Sequence, residues 1–283
     1  MSGVGLHTGC KVTATLRPAP PDTGVVFRRV DLEDFEIEAQ RRWVSRVVLA
    51  TTLMKRGVML STVEHVLSAL YGCGIDNVFI DIDSLEVPIL DGSALPFVKM
   101  IEAAGRVEQD AERVYLQVVE PIRVDDREKF ALIEPAADFS ISYEIDFDHP
   151  AVGRQWLDLK LRPETYVREI AFARTFCFLR EVEELRAKGL IRGGSLDNAV
   201  VLGDDGGILN GELRAPDEFV RHKALDLIGD ISLCGYPLLG RIRAFKAGHA
   251  LHTNLATEIA RNRTSVRRVV ESEVREVCRV VNQ

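Results

Sequence analysis

The chain has 283 residues, of which 46% are hydrophobic, and a formal net charge of −7. This length allows a large core in one or two domains, and the negative charge argues against a nucleic-acid partner. No apolar run approaches the ~20 residues that span a bilayer, and the N-terminus does not look like a secretory signal. Five cysteines, none in a CxxC pair, exclude a zinc ribbon and are typical of reduced thiols, so we expect a cytoplasmic protein.

Turn signals and alternating residues predict an α+β chain. In the first half, a glycine-rich turn and a strand occupy 3–16, and a helix begins near Ser61 and ends before Gly72. A turn-rich link over 86–93 leads into a second helix that ends near Ala104. The other predicted strands of this half are 25–29, 35–39, 43–49 and 77–81.

The polar stretch 105–113 is the best candidate for a domain boundary, which predicts an N-terminal domain over 1–108 and a C-terminal domain over 109–283. In each half an apolar helix that carries one histidine follows a run of strands, which suggests two related α+β domains. The strands predicted in the second half are 114–119, 130–133, 140–146, 199–202 and 241–245. The helices predicted there are 181–188, 216–230 and one that begins near Leu255.

The helix predicted over 216–230 has an unusual polar face. Its apolar residues share one arc of a helical wheel, and His222, Lys223, Asp226 and Asp230 share the opposite arc. His222 and Asp226 are four residues apart, so an imidazole and a carboxylate there can hold one metal ion. A solvated face with an i,i+4 pair explains the same pattern, and on spacing alone it is the more common explanation.

Glu64 and His65 lie near the start of the first predicted helix. Ser61-x-x-Glu64 matches a capping box, in which the Glu64 side chain accepts a hydrogen bond from the Ser61 backbone N–H. Taken alone, this is the simpler role for Glu64. His65 points away from the apolar stripe of its helix, where a histidine is usually solvated.

A combined site is the alternative. His65, His222 and Asp226 would supply two imidazoles and one carboxylate and leave a fourth metal position open, as in catalytic zinc sites. Glu64 would then accept a proton from water, and His249, just past the strand at 241–245, would act as a general acid. The same ligand types also match the facial triad of non-haem iron oxygenases.

Several motifs extend this pattern over nearly the whole chain. They are 3–9 (GVGLHTG), 62–65 (TVEH), 87–93 (VPILDGS), 173–176 (ARTF), 193–195 (GGS), 220–223 (VRHK) with 226–230, and 248–250 (GHA). In these motifs and their order, the sequence resembles the zinc-dependent UDP-3-O-acyl-N-acetylglucosamine deacetylases, the LpxC family of Gram-negative bacteria.

The resemblance implies a fold of two α+β domains (ribosomal-S5-domain-2-like halves) with the active site between them, and a β-α-β insert at about 179–204. It implies hydrolysis of the N-acetyl group of UDP-3-O-acyl-N-acetylglucosamine to UDP-3-O-acyl-glucosamine and acetate, the committed step of lipid A biosynthesis. A non-catalytic nucleotide-sugar binding protein is the further alternative.

The resemblance also implies roles at the metal. His65, His222 and Asp226 match the ligands of Zn²⁺, and Fe²⁺ suits the same site. Glu64 matches the general base, and His249 matches the residue that protonates the leaving amine.

Further matched residues surround the reacting groups. Asp230 would orient His249, whereas Lys223 and Thr175 lie beside the carbonyl in the family and suit the stabilisation of an oxyanion. Phe176 matches a residue that packs near the sugar.

The nucleotide is expected at four matched residues. Asp146 would hydrogen-bond to uracil and Phe147 would stack on it, while Lys129 and Lys246 suit the diphosphate. The insert forms an apolar passage for the acyl chain in the family. Its candidate lining here, for which ordinary core is an equally good explanation, is Leu185, Leu190, Ile191, Ala199 and Val201.

Three expectations concern the whole chain. We expect a monomer that acts on an acylated UDP-sugar and has no transmembrane segment, although transient contact with a membrane surface is compatible with that substrate. Family chains usually have a short strand before Gly3, so the first sheet is expected to lack an edge strand if the chain starts at Met1. The charged tail 261–283 is expected to form a surface helix.

Overall fold

The computed structural model of the chain describes residues 1–274 as an α+β fold. Its helices are α1 (Glu64–Gly72), α2 (Leu95–Ala104), α3 (Pro163–Glu169), α4 (Leu179–Ala187), α5 (Glu218–Ser232) and α6 (His249–Arg261). The strands of the first half are β1 (Ser2–Val4), β2 (Lys11–Pro18), β3 (Val25–Arg29), β4 (Phe35–Glu38), β5 (Val44–Arg46), β6 (Thr52–Lys55), β7 (Val58–Leu60) and β8 (Val78–Ile82). Those of the second half are β9 (Val114–Val118), β10 (Ile122–Asp126), β11 (Lys129–Glu134), β12 (Phe139–Phe147), β13 (Gly153–Lys160), β14 (Phe176–Phe178), β15 (Val200–Leu202), β16 (Leu238–Phe245) and β17 (Val266–Val270).

Two large sheets repeat one topology. Their strand orders are β1-β2-β8-β3-β4 and β10-β11-β16-β12-β13, with β9 and β17 added beside β16. In each order the central strand, β8 or β16, is parallel to the strand that follows it in the order and antiparallel to the one before it. Helix α1 precedes β8 as α5 precedes β16. This repetition confirms the predicted pair of related α+β halves, whereas the boundary near residue 108 stays a prediction.

Two smaller units complete the fold. Strands β5, β6 and β7 form a separate antiparallel sheet. Strands β14 and β15 pair in parallel and are joined through α4, which confirms the predicted β-α-β insert. Among residues 1–274, no helix combines the length and the apolar composition that crossing a membrane requires.

Several predicted elements differ from the structure. Helix α1 begins at Glu64 rather than Ser61, and α6 begins at His249, well before the predicted start. The prediction of a helical tail is wrong for 266–270, which form β17, whereas 271–274 are helical as predicted and 275–283 lie outside the described residues. Strand β1 pairs with β2 at the edge of the first sheet, so the expectation of a missing edge strand is also wrong.

Helices α1 and α5 pack directly against each other. Their backbones approach so closely that a Cβ atom added at Gly229 of α5 would lie 2.1 Å from the carbonyl oxygen of Glu64 on α1. Only glycine fits there, because a real Cβ atom needs more than 3 Å from a backbone atom. The apolar faces of both helices are buried around this contact. The first turn of α1 is thereby fixed beside the middle of α5.

We expect Gly229→Ala to destabilise the protein by about 3 kcal/mol, because the added methyl group forces the two helices apart in a packed core. The free energy of unfolding from a denaturant titration measures this. Gly248→Ala is the matched control, since a Cβ atom there would meet nothing within 4 Å. Equal stability of the two variants would contradict the close helix contact.

Candidate active site

Three buried side chains bring nitrogen and oxygen donors together where α1 meets α5. His65 lies in the first turn of α1, and His222 and Asp226 lie one turn apart on α5. The Oδ1 atom of Asp226 is 3.4 Å from His222 Nε2 and 3.8 Å from His65 Nε2. All three residues are buried, so the interpretation of this helix face as solvated is wrong.

Both histidines are neutral near pH 7. Burial lowers the pKa of His65 to about 3, and burial also lowers the pKa of His222. His222 Nδ1 donates to the Ala173 carbonyl oxygen at 3.1 Å, so its Nε2 keeps a lone pair. With Asp226, these side chains offer donor atoms within 4.8 Å of one another. Two neutral imidazoles and one carboxylate are a ligand set that suits a divalent metal ion.

Asp226 stays ionised although it is buried. Burial raises the pKa of its carboxyl group, but the neighbouring His222 and Lys223 outweigh burial and lower the pKa below its ordinary value. Lys223 Nζ donates to Asp226 Oδ2 at 2.8 Å and lies 5.6 Å from the centre of the Phe176 ring. Lys223 is half-buried, so it lies between the buried candidate metal ligands and the solvent.

Glu64 is a buried carboxyl group directly beside His65. Its Oε2 atom accepts a hydrogen bond of 3.0 Å from the Thr51 backbone N–H, while the residue before α1 is Val63 rather than Ser61. The capping-box interpretation of Glu64 is therefore wrong. Burial raises the pKa of Glu64 to about 8, so this carboxyl group exchanges a proton close to neutral pH.

His249 is the first residue of α6 and forms an ion pair with Asp230 of α5. Its Nδ1 atom lies 2.7 Å from Asp230 Oδ2, and its Nε2 atom lies 4.0 Å from Asp226 Oδ2. Burial lowers the pKa of His249, but Asp230 outweighs burial and raises the pKa to about 9. His249 is thus a cation at neutral pH, and its Nε2–H lies beside the candidate metal ligands, near Asp226.

Three residues at this site have no role in the sequence analysis. Thr51 donates its hydroxyl to Asp230 Oδ1 at 2.6 Å, and His252 Nδ1 lies 3.0 Å from Asp230 Oδ2. Tyr143 lies 2.8 Å from His252 Nε2 through its hydroxyl. The spacing of His249 and His252, three residues apart on one helix, was a usable signal. It was missed because α6 was predicted to begin beyond both.

Phe176 lies between the candidate metal ligands and the end of the second sheet. Its ring centre lies 6.3 Å from that of His222 and 5.6 Å from that of Phe147, edge-on in both cases. The preceding residue, Thr175, is half-buried, and its backbone N–H donates to the Gly92 carbonyl oxygen at 2.8 Å. Phe147 and Phe176 thus form one apolar surface that starts at a predicted metal ligand.

The remaining residues predicted to bind nucleotide lie at one end of β11, β12 and β16. Lys246 Nζ is 3.1 Å from Asp146 Oδ2. Lys129 is exposed and lies one position beyond the paired residues Phe130 and Phe245, as Lys246 does on the opposite strand. The structure therefore brings both lysines and Asp146 to the same end of the sheet, outside the buried donor set.

The predicted acyl passage falls on the β-α-β insert. Ala199 and Val201, at and next to β15, are buried, whereas Leu185, Leu190 and Ile191 are half-buried around the end of α4. Both the passage and the ordinary-core interpretation agree with this burial. The passage stays a prediction.

Glu218 fixes the loop that carries Ala173 and Thr175 to the start of α5. This fully buried carboxylate accepts from the backbone N–H and the guanidinium of Arg174 and from the backbone N–H of Arg214. Burial raises the pKa of Glu218, but the hydrogen bonds from Arg174 outweigh it and lower the pKa. The carbonyl that orients His222 is thereby held in place.

The fold and the site define a class of protein. A neutral His–His–carboxylate donor set, a buried carboxyl group with a raised pKa and a protonated histidine are together typical of metal-dependent hydrolases that activate water.

The chain belongs to the LpxC family, UDP-3-O-acyl N-acetylglycosamine deacetylase, whose match covers residues 1–261. Relatives named UDP-3-O-acyl-N-acetylglucosamine deacetylase cover most of the chain. The protein of Solibacter usitatus is 51% identical over 258 residues, which are 91% of this chain and 87% of the relative. That of Geobacter sp. (strain M21) is 50% identical over 259 residues, 91% of this chain and 85% of the relative. That of Myxococcus xanthus is 50% identical over 261 residues, 92% of this chain and 83% of the relative.

We expect Glu218→Gln to lower the free energy of unfolding by about 3 kcal/mol, because the change removes the buried charge that pairs with the half-buried Arg174. The folded-state pKa of Glu218 is lowered, so its stabilisation is present above the ordinary pKa of 4.5 and is lost as the pH falls. The difference between wild type and variant should therefore shrink in acid. Denaturant titrations at several pH values measure both effects.

Glu184→Gln is the control for this change, because Glu184 forms an exposed i,i+4 pair with Lys188. Such a surface pair contributes little to stability, so no measurable change is expected. A loss of equal size in the two variants would show that burial of Glu218 does not matter.

Proposed function

We propose that this chain removes the N-acetyl group of UDP-3-O-acyl-N-acetylglucosamine, giving UDP-3-O-acyl-glucosamine and acetate in lipid A biosynthesis. One observation carries the proposal beyond family membership. A carboxyl group that can take a proton, Glu64, and a histidine that can give one, His249, both lie beside one buried set of metal-type donors. Amide hydrolysis needs a proton acceptor for water and a proton donor for the leaving nitrogen.

His65, His222 and Asp226 are the residues that would hold the metal ion. Zn²⁺ is our first choice, and Fe²⁺ suits the same ligands. When bound, the ion acts as a Lewis acid on the acetyl carbonyl and makes water more acidic. Hydrogen bonds to Ala173 and from Lys223 orient His222 and Asp226 for this role.

Glu64 is assigned as the general base. The Thr51 N–H holds its Oε2 atom, so Oε1 takes the proton from the attacking water. The pKa of Glu64, raised by burial, makes its carboxylate a stronger base than a solvated one.

His249 is assigned as the general acid. Its Nδ1 is bound to Asp230, so Nε2 delivers the proton to the glucosamine nitrogen as acetate leaves. Lys223 Nζ and the Thr175 hydroxyl are assigned to the developing oxyanion, where a charge and a dipole stabilise the transition state.

The rest of the substrate is assigned along the apolar surface. Phe176 would pack against the sugar, and Phe147 would stack on uracil while Asp146 accepts its N–H. Lys129 and Lys246 would bind the diphosphate as mobile positive charges. The acyl chain would extend along the β-α-β insert. We further propose a monomer in the cytoplasm with two domains that meet near residue 108.

The test is acetate release from UDP-3-O-acyl-N-acetylglucosamine by the purified protein, paired with metal analysis. We expect one divalent ion per chain and metal-dependent release of acetate. Glu64→Ala should keep the ion and lose about 10²–10⁴-fold in kcat, since it removes only the base. His65→Ala should lose both the ion and the activity. His149→Ala is the control, because His149 is a buried histidine bound to the Gly203 carbonyl and lies outside the donor set.

Other outcomes identify the rivals. Turnover that consumes oxygen with a redox-active metal would support an iron oxygenase instead. Tight binding of the UDP-sugar without metal or acetate release would support a non-catalytic binding protein. Full activity of Glu64→Ala would remove the base assignment alone.

The pH dependence of kcat/KM should be bell-shaped. The rate should fall in acid as Glu64 takes up a proton and in alkali as His249 loses one. Because Asp230 raises the pKa of His249 to about 9, Asp230→Asn should move the alkaline limb to lower pH. A profile that stays flat between about pH 5 and about pH 9 would rule out the two-residue scheme.

A further inference from the structure

The Asp230 carboxylate serves two histidines at once. Its Oδ2 atom lies 2.7 Å from His249 Nδ1 and 3.0 Å from His252 Nδ1, while Oδ1 accepts the Thr51 hydroxyl. Asp230 and His252 are fully buried, so water does not supply these hydrogen bonds. An ionised carboxylate accepts hydrogen bonds only, so each of the two Nδ1 atoms carries a proton. Both carboxylate oxygens are therefore fixed in direction by protein donors.

Tyr143 is compatible with this proton on His252 Nδ1, whichever way its own hydrogen bond to Nε2 runs. Its hydroxyl lies 2.8 Å from both His252 Nε2 and the Ala247 carbonyl oxygen. A hydroxyl has one proton, so either it donates to Ala247 and accepts from His252 Nε2–H, or it donates to His252 Nε2. In the first case both nitrogens of His252 carry protons, and in the second only Nδ1 does. Either arrangement leaves an Nδ1–H that points to Asp230.

The same tyrosine holds the turn from which His249 projects. Lys246 has a φ of 50°, a left-handed conformation that costs a non-glycine residue free energy. The Lys246 backbone N–H donates to the Glu144 carbonyl oxygen at 2.9 Å, and the Tyr143 hydroxyl binds Ala247 one residue further on. Two adjacent residues of β12 thus pin the turn that leads into α6.

We propose that His252, held by Tyr143, is a positioning residue for the proposed general acid. It donates a second N–H to Asp230 and so keeps Oδ2 aligned with His249 Nδ1. His252 touches neither substrate nor metal ligand in this scheme and acts only through Asp230. The inference rests on the proposed role of His249 and adds to it the residues that hold its partner.

The first test compares two replacements of His252. His252→Leu keeps similar bulk without a donor, and we expect kcat for acetate release to fall about tenfold with KM changed less than about twofold. His252→Asn has an amide N–H at nearly the place of Nδ1, and we expect it to recover most of kcat. Both rates are compared at the pH where each protein is most active.

The second test asks whether His252 acts through Asp230. In an Asp230→Asn background, His252→Leu should change kcat by less than about twofold, because the group it serves is already gone. A full tenfold loss in that background would overturn the proposal, as would equal losses for His252→Asn and His252→Leu.

A matched pair of tyrosines controls for general damage. Tyr143 and Tyr166 are both fully buried, and each has a hydrogen-bonded hydroxyl, that of Tyr166 to Ser68 at 3.0 Å. Tyr143→Phe and Tyr166→Phe should lose similar stability in thermal unfolding, but only Tyr143→Phe should lose kcat. Equal loss of kcat in the two variants would show a merely structural role and overturn the proposal.

Failure of the proposed function looks different. In that case the wild-type protein itself releases no acetate or His249→Gln keeps the wild-type rate, and the positioning role falls with it. Failure of the present inference alone leaves the wild type active and His249 essential, with the His252 and Tyr143 variants no slower than their controls.

Discussion

The contact between α1 and α5 is the constraint on which the site depends. Gly229 lets the α5 backbone touch the Glu64 carbonyl oxygen, so residues before and after that contact lie within reach of the first turn of α1. Asp226 comes three residues before Gly229 and Asp230 one residue after it. A larger side chain at this contact would separate His65 and Glu64 from both. The close packing of the two helix backbones thus sets the distances between the site residues of α1 and those of α5.

Burial of charge explains why the pKa values of the carboxyl groups at the site shift in opposite directions. Asp226 and Asp230 stay ionised because Lys223 and His249 lie within ion-pair distance of them. Within residues 1–274 the Glu64 carboxyl group accepts one hydrogen bond, from a backbone N–H, and the two ionised aspartates add to the cost of its negative charge. Its pKa therefore rises while theirs fall. Enclosure raises the pKa of Glu64, whereas His249 stays protonated because the buried Asp230 carboxylate outweighs the effect of burial.

Local patterns predicted most elements and the polar residues of α5, because the periodicity of a helix or strand is visible in residues that are close in sequence. They misjudged Glu64, because its partner is the Thr51 backbone rather than Ser61 of the same turn. They missed the link of Thr51 to Asp230, which spans 179 residues. They also placed the start of α6 too late, because buried polar side chains such as His252 interrupt the apolar period. Residues such as Thr51 and His252, which bind other site residues that are distant in sequence, are therefore hard to predict from local sequence patterns.

The repeated topology accounts for the asymmetry of the site. Helices α1 and α5 hold the same place in the two halves, and each brings one histidine to their contact. The helices after β8 and β16 differ, because α2 begins with Leu95 whereas α6 begins with His249. The repeated unit thus supplies two similar helices, α1 and α5, and the second copy alone has a histidine at the first position of the helix after its central strand. Under the proposed function, this difference places the base, Glu64, on α1 and the acid, His249, on α6.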